Sequence, residues 1–389
     1  MRSAVTALFC LIAAPVLAAP CGGDFSEFVA AMKAEALAGG ADPAAVDAFF
    51  KGARQDPKVL KADRSQSVFQ KPFVEFSGRL ISKNRLQTGE AMAKEYDAVF
   101  AKAEADYGVP RGILLAFWAF ETDFGKVQGD FNTRNALFTL AHDCRRPDLF
   151  QPQILAGVTL TQRGMMDPAK TTGAWAGEIG MVQMLPADII ADGVDGDGDG
   201  EITLKTSAPD ALLSAAKKLH ALGWVANEPW LVEISLPKDF DWSLTGIDKT
   251  LTVESWQSMG AKARTGNLPD GGLRASVLLP QGRDGPAFLA FQNFNVLFNW
   301  NKSFAYVTTA AYFATRMQGS PAMTVGEPQA GLSGDQMKAL QEKLGGRGHD
   351  VGKVDGILGA QTRAAVQKEQ VRLGMPADAW PTTDLLNAL

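Results

Sequence analysis

Val109-Pro110-Arg111-Gly112-Ile113-Leu114-Leu115-Ala116-Phe117-Trp118-Ala119-Phe120-Glu121 is a run, apolar after Arg111, that ends on a single carboxylate. Proline fits the first position of a helix, where its missing N–H would have no partner, so Val109-Pro110 reads as the opening of a buried helix. Helical spacing places Phe117, Trp118 and Phe124 around Glu121 at i−4, i−3 and i+3. Apolar surroundings and the negative end of the helix dipole both disfavour ionisation of Glu121, so both raise its pKa. A carboxylic acid kept protonated near neutral pH can donate to a glycosidic oxygen, which leaves poorly without a proton. The alternative is a surface Glu on a helix buried along its other side. Asp123 points to a different helical face and is a weak partner for a scheme with two acids.

Around this helix the chain reads as mainly α. From Phe25 to about Gly125 apolar residues return every three or four positions: Phe25, Phe28, Val29 and Met32 form one stripe, and Val46, Phe49 and Phe50 another. Ala91 to Ala105 reads as one amphipathic helix with Met92, Tyr96, Val99 and Phe100 on its apolar face, a core pattern rather than a cofactor site. Alternation with period two is confined to Leu231–Leu236 and Ala275–Leu279, too little for a large sheet. A polar, Gly/Pro-rich connector over 319–331 marks a domain boundary, and 332–389 reads as a small helical module.

At 389 residues, with 46% hydrophobic and 21% charged, the chain exceeds one ordinary core and is too balanced to be disordered, so two domains are expected. Three histidines, three cysteines and a charge of −5 exclude a polyhistidine metal site, a disulfide-dense scaffold and a cationic nucleic-acid binder. Arg2, the apolar run Ala7–Ala14 and the small residues before Ala18 read as a secretory signal peptide over 1–18, too short and too broken by Pro15 to anchor in a membrane. Pro20 stands where a lipidation signal before Cys21 needs Gly or Ala. Cleavage leaves Cys21 and Cys144, which suggest one disulfide tying the N-terminus to the body; two unrelated thiols are the alternative. The expected location is the periplasm.

Three ordered motifs carry a family resemblance. Ala119-Phe120-Glu121-Thr122 is followed by Ala176-Gly177-Glu178-Ile179-Gly180-Met181-Val182-Gln183-Met184-Leu185-Pro186, with Ala136–Ala141 as a helix between them, and then by Phe291-Gln292-Asn293-Phe294-Asn295-Val296-Leu297-Phe298-Asn299-Trp300-Asn301-Lys302-Ser303. This resembles the lytic murein transglycosylases of the membrane-bound lytic transglycosylase B type. The resemblance implies a lysozyme-like helical catalytic domain over 22–318, with Glu121 as the sole catalytic acid and base and no catalytic cofactor. It also implies that Trp175, Gly180, Gln183, Trp300 and Asn301 form the saccharide cleft for peptidoglycan glycan strands. Trp300 replaces the usual tyrosine, Asn299 the usual arginine, and Ala174 a serine that often orients the acid. Without that serine the hydrogen bond to Glu121 comes from elsewhere, with Thr171 and Thr172 as the candidates, or is absent.

The implied reaction uses one carboxyl twice. Glu121 protonates the oxygen between N-acetylmuramic acid and N-acetylglucosamine while the muramyl N-acetyl carbonyl stabilises the anomeric cation. It then deprotonates the C6 hydroxyl, which closes a 1,6-anhydro bond without water. A hydrolytic muramidase and a catalytically weak wall-binding scaffold are the rival expectations.

Asp195-Gly196-Asp197-Gly198-Asp199-Gly200-Glu201-Ile202-Thr203 resembles an EF-hand loop in the register that starts at Asp195, with glycine sixth and isoleucine eighth. Asp195, Asp197, Asp199, Glu201 and Thr203 are its candidate ligands for a structural calcium ion, although Thr206 occupies the twelfth place, where an acid belongs. The alternative is a merely acidic turn. Met337–Leu344 and Val354–Val366 resemble the helical peptidoglycan-binding domain of wall hydrolases, with Glu369 at a position that often packs an aromatic. Bound to the wall, such a module would raise the substrate concentration at the cleft; a helical cap without ligand is the alternative.

Overall fold

A computed structural model of the chain describes residues 20–65 and 71–389, so the expected signal peptide lies outside the described residues. Among these the fold is mainly α, with seventeen helices and seven short strands. The apolar run forms the Arg111–Thr122 helix with Pro110 as its extended N-cap, and every residue from Gly112 to Ala119 is buried. The Phe304–Met317 helix covers it. A Cβ on Gly112 would stand 2.7 Å from the Ala314 carbonyl oxygen, so glycine is what lets these two helices approach. The Thr133–His142 helix, which includes the expected Ala136–Ala141 segment, is buried at all ten positions.

Two expectations are corrected. The Ala91–Ala105 helix is two helices, Lys83–Glu95 and Asp97–Tyr107, because the backbone leaves helical geometry at Tyr96 (φ −106°, ψ 28°). There the Tyr96 ring packs edge-on against Trp118 at 5.4 Å. The second correction concerns the sheet.

Strands β1 (Phe131–Asn132) and β2 (Thr172–Gly173) make a small antiparallel pair. Strands β3 (Leu231–Ser235), β4 (Thr250–Thr252), β5 (Lys262–Ala263), β6 (Arg274–Leu278) and β7 (Ala287–Ala290) form a five-stranded antiparallel sheet in the order β4-β6-β7-β3-β5. The two alternating stretches became β3 and β6. The others escaped notice because they are two to four residues long, and β7 is buried on both faces and so does not alternate. Val253, Trp256, Val277, Leu289 and Phe291 build a separate core on this sheet.

Cys21 and Cys144 form a disulfide, and the Gly22 N–H donates to His142 O at 2.8 Å, which fastens the N-terminal segment to the buried Thr133–His142 helix. Helices Gly334–Gly346, Ala360–Arg372 and Thr383–Ala388 enclose their own core of Met337, Leu340, Leu344, Val366 and Leu385. Glu369 is buried and meets His349 and Arg372 at 2.7 Å each, so this position is repacked as an ionic cluster instead of an aromatic contact.

These C-terminal helices dock on the body. The Arg363 guanidinium donates to the Leu279 and Pro280 carbonyls (3.2 and 2.6 Å) and lies 4.6 Å from the Phe304 ring. Gln367 Nε2 donates to the Thr245 carbonyl at 2.9 Å. Residues 319–331 carry no helix or strand, yet they are strapped down: Met323 N–H donates to the Tyr312 hydroxyl (2.6 Å), Glu327 N–H to Asp284 O (2.9 Å), and Trp380 Nε1 to Gln329 O (3.0 Å).

Candidate active site

Glu121 occupies the last turn of its helix, where the chain turns through two left-handed residues, Asp123 (φ 50°) and Phe124 (φ 61°). The Asp123 and Phe124 N–H groups donate back to Ala119 and Trp118 carbonyls (3.1 and 3.0 Å), which closes the helix end. Thr122 ties it across the site: its hydroxyl donates to Met181 O at 2.6 Å and accepts from Gly125 N at 2.9 Å. Asp123 is engaged elsewhere, with Arg85 Nε at 3.2 Å.

The Glu121 side chain is half-buried, yet enough protein surrounds the carboxyl for desolvation to dominate its titration. Burial pushes its pKa up to about 7; the Tyr306 hydroxyl and the Lys218 ammonium oppose the rise, and the Glu178 carboxyl adds to it. Tyr306 on the Phe304–Met317 helix donates its hydroxyl proton to Glu121 Oε1. Burial, then the neighbouring Glu121 charge, hold the Tyr306 pKa well above the phenol range, so it remains a donor. This corrects the expectation for Thr171 and Thr172. The Thr171 hydroxyl accepts from Asp167 N (3.1 Å) and that of Thr172 from Lys205 Nζ (3.1 Å), while Tyr306 supplies the bond to the acid.

The Asn301-Lys302-Ser303 segment sets that tyrosine. Asn301 Oδ1 accepts from Ser303 N (2.9 Å), and Ser303 caps the helix by accepting from Tyr306 N (3.4 Å). Trp300 stacks on Phe117 with centroids 4.7 Å apart, and Lys218 Nζ, paired with Asp188 at 2.5 Å, lies 4.5 Å from the Trp300 ring centre.

A groove of about 810 Å³ opens beside this cluster, lined among others by Arg146, Trp175, Glu178, Trp300, Asn301 and Leu358. Leu358 comes from the C-terminal helical unit, so the docked module forms part of the wall. Gly180 and Gln183 are not among the residues lining this groove: Gln183 has φ 53°, and its Nε2 donates to Gly180 O (2.7 Å) and Gln128 O (3.3 Å). A Cβ on Gly180 would stand 2.5 Å from Leu204 Cβ. Both hold the turn that receives Thr122.

Asp195, Asp197 and Asp210 bring carboxylate oxygens within 4.8 Å of one another, while Asp199, Glu201 and Thr203 are not part of this trio. Buried Asp210 accepts from Gly196 N (2.8 Å) and Thr203 N (2.7 Å), closing the loop. The hard oxygen donors fit calcium better than a soft metal.

Sequence reasoning missed Tyr306, Glu178, Lys218 and Asp210. Tyr306 is one of four tyrosines and lies three residues past the Asn-x-Ser cap, which is a readable signal. So is Glu178, an acid framed by Gly177 and Gly180 in an apolar stretch. Lys218 gives none, one lysine of an amphipathic helix.

The profile of the transglycosylase SLT domain family matches residues 24–315, and that of a peptidoglycan binding domain matches residues 333–389. The membrane-bound lytic murein transglycosylase B of Escherichia coli is 29% identical over 157 residues, a stretch that spans 40% of this chain and only 43% of that protein. Crystal structures of Pseudomonas aeruginosa SltB3 with NAG-anhNAM-pentapeptide and with NAG-NAM-pentapeptide are 36% identical, with TM-scores of 0.85 and 0.86, and cover 94% of this chain and 99% and 100% of theirs. Escherichia coli Slt35 in complex with calcium shares the fold at 23% identity over 77% of this chain and 96% of its own, with a TM-score of 0.65.

Proposed function

The chain belongs to the transglycosylase SLT domain family, and we propose that it is a lytic transglycosylase acting on peptidoglycan glycan strands. Glu121 protonates the oxygen between N-acetylmuramic acid and N-acetylglucosamine, then takes the proton of the muramyl C6 hydroxyl, which closes the 1,6-anhydro ring. The observation that carries this reading is a carboxyl whose pKa burial raises to about 7, held by the Tyr306 hydroxyl; Glu178, whose charge it feels, and Phe304 and Ala305, which precede Tyr306, line the groove. Such a group is protonated when it acts as acid and basic enough to act afterwards as base. Tyr306 takes the orienting part that a serine at position 174 would have had. Trp175 offers a flat face for a sugar ring, and Trp300 and Asn301 line the same groove.

No cofactor enters the chemistry. Asp195, Asp197 and Asp210 would hold a calcium ion that cross-links the loop and takes no part in bond cleavage. Calcium should raise the melting temperature of the chain, and Asp195→Asn should remove that response.

The disulfide suits an oxidising compartment, and among the described residues no helix is long and apolar enough to cross a membrane; both accord with action in the periplasm. Digestion of sacculi in heavy-oxygen water tests the reaction type. Transglycosylation leaves the released muramyl ends unlabelled, whereas hydrolysis labels each new reducing end.

A further inference from the structure

The groove holds a second carboxyl group that the reaction above does not use. Glu178 follows Gly177, whose positive φ (87°) and tight fit to Leu137 Cδ2, 2.4 Å from where a Cβ would lie, demand glycine. The backbone N–H groups of Ala176 and of Glu178 itself approach one side of its carboxyl. Glu178 Oε2 is buried and has no hydrogen-bond partner among the described residues. Trp175, from the same turn, lines the groove beside it, and Arg146, whose charge Glu178 feels, lies 6.0 Å from the Trp175 ring centre and is also paired with Asp63.

A buried carboxylate oxygen without a donor costs more than most unsatisfied groups, and the fold gains nothing visible from it. An indole and a carboxylate that line one groove suit a pyranose ring, whose C–H face stacks while its hydroxyls donate. We propose that Glu178 is a substrate-binding residue of the groove, whose unpartnered oxygen accepts a hydrogen bond from a ring hydroxyl of the amino sugar stacked on Trp175. This rests on the reading that the groove holds glycan. Glu178 is then a determinant of how the groove holds the sugar ring, besides its charge, which adds to the rise of the Glu121 pKa.

The test uses the full chain carrying Glu121→Gln, so that the ligand is bound and not cut, titrated with a peptide-free tetrasaccharide of alternating N-acetylglucosamine and N-acetylmuramic acid. Adding Glu178→Ala should weaken binding about tenfold, as loss of one hydrogen bond to a buried acceptor does. Its melting temperature should stay equal or rise, because a desolvated carboxyl has been removed. Glu178→Gln, which keeps the shape and an acceptor oxygen, should show a smaller loss and covers the case in which the alanine variant does not fold. Combined with Trp175→Ala, the loss should fall short of the product of the single losses, as for two groups on one ring.

Unchanged binding in both Glu178 variants, or a drop in melting temperature with affinity retained, overturns the proposal. If the unmutated chain cleaves sacculi while Glu178→Ala binds normally, this inference alone fails. If it does not cleave them but Glu178→Ala still weakens binding, the proposed reaction alone fails.

Discussion

The Tyr306 hydroxyl donates its proton to Glu121 Oε1, joining the end of one buried helix to the first turn of another. The bond favours the ionised carboxyl and so opposes the rise that burial causes. Tyr306→Phe removes it, and the carboxyl pKa should rise further. Since the acid acts protonated, the alkaline limb of the pH profile should move to higher pH, while kcat falls about 10- to 100-fold as the carboxyl loses its orientation. A pH–rate profile of both proteins on soluble glycan checks the two effects separately.

Glu121 also couples stability to pH. Its folded pKa, about 7, lies above the ordinary value of 4.5, so its burial costs nothing below about pH 4.5 and is increasingly unfavourable as pH rises through 7. Glu121→Gln has no charge to bury. It should match the parent protein in acid and exceed it by about 1–3 kcal/mol at about pH 8.5. Thermal melts at the two pH values show the gap opening, or its absence.

Arg363 holds the C-terminal helices to the body through two backbone carbonyls and the Phe304 ring, and burial lowers its own pKa to about 10. Arg363→Ala should cost about 2–4 kcal/mol. Because Leu358 forms part of the groove wall and Phe304 starts the helix of Tyr306, activity on short soluble glycan should also fall. A module that merely tethered the enzyme to the wall would lose activity on sacculi alone, so comparing the two substrates separates wall from tether.

Reducing the Cys21–Cys144 bridge opens a loop with a sequence separation of 123 residues. Loss of that cross-link should lower stability by about 2–5 kcal/mol, through the greater entropy of the unfolded chain. Denaturant unfolding of Cys21→Ser with Cys144→Ser reads it, and residual activity at low temperature should persist because neither cysteine lines the groove.

The apolar helix ending in Glu121 was readable because period and proline agree, and the sequence pointed to a raised carboxyl pKa through apolar surroundings and the helix dipole; the fold decides against a surface Glu, with burial as the main cause. The alternation of Leu231–Leu236 and Ala275–Leu279 was read correctly, but the sheet was underestimated, since β4, β5 and β7 owe their existence to partners distant in sequence. Tyr306 was invisible as a partner of Glu121 for the same reason: the two stand 185 positions apart, and only packing of their helices through Gly112 brings them together. The EF-hand pattern gave Asp195 and Asp197 but not Asp210, which reaches the loop from the following helix.

Mass analysis of the fragments released from purified sacculi by the unmutated chain and by Glu121→Gln tests the central claim most directly. The account predicts anhydro-muropeptides without reducing ends from the first and no soluble product from the second, whose shape is preserved and whose transferable proton is gone. Comparable release by both proteins, or reducing ends on the fragments, would contradict it.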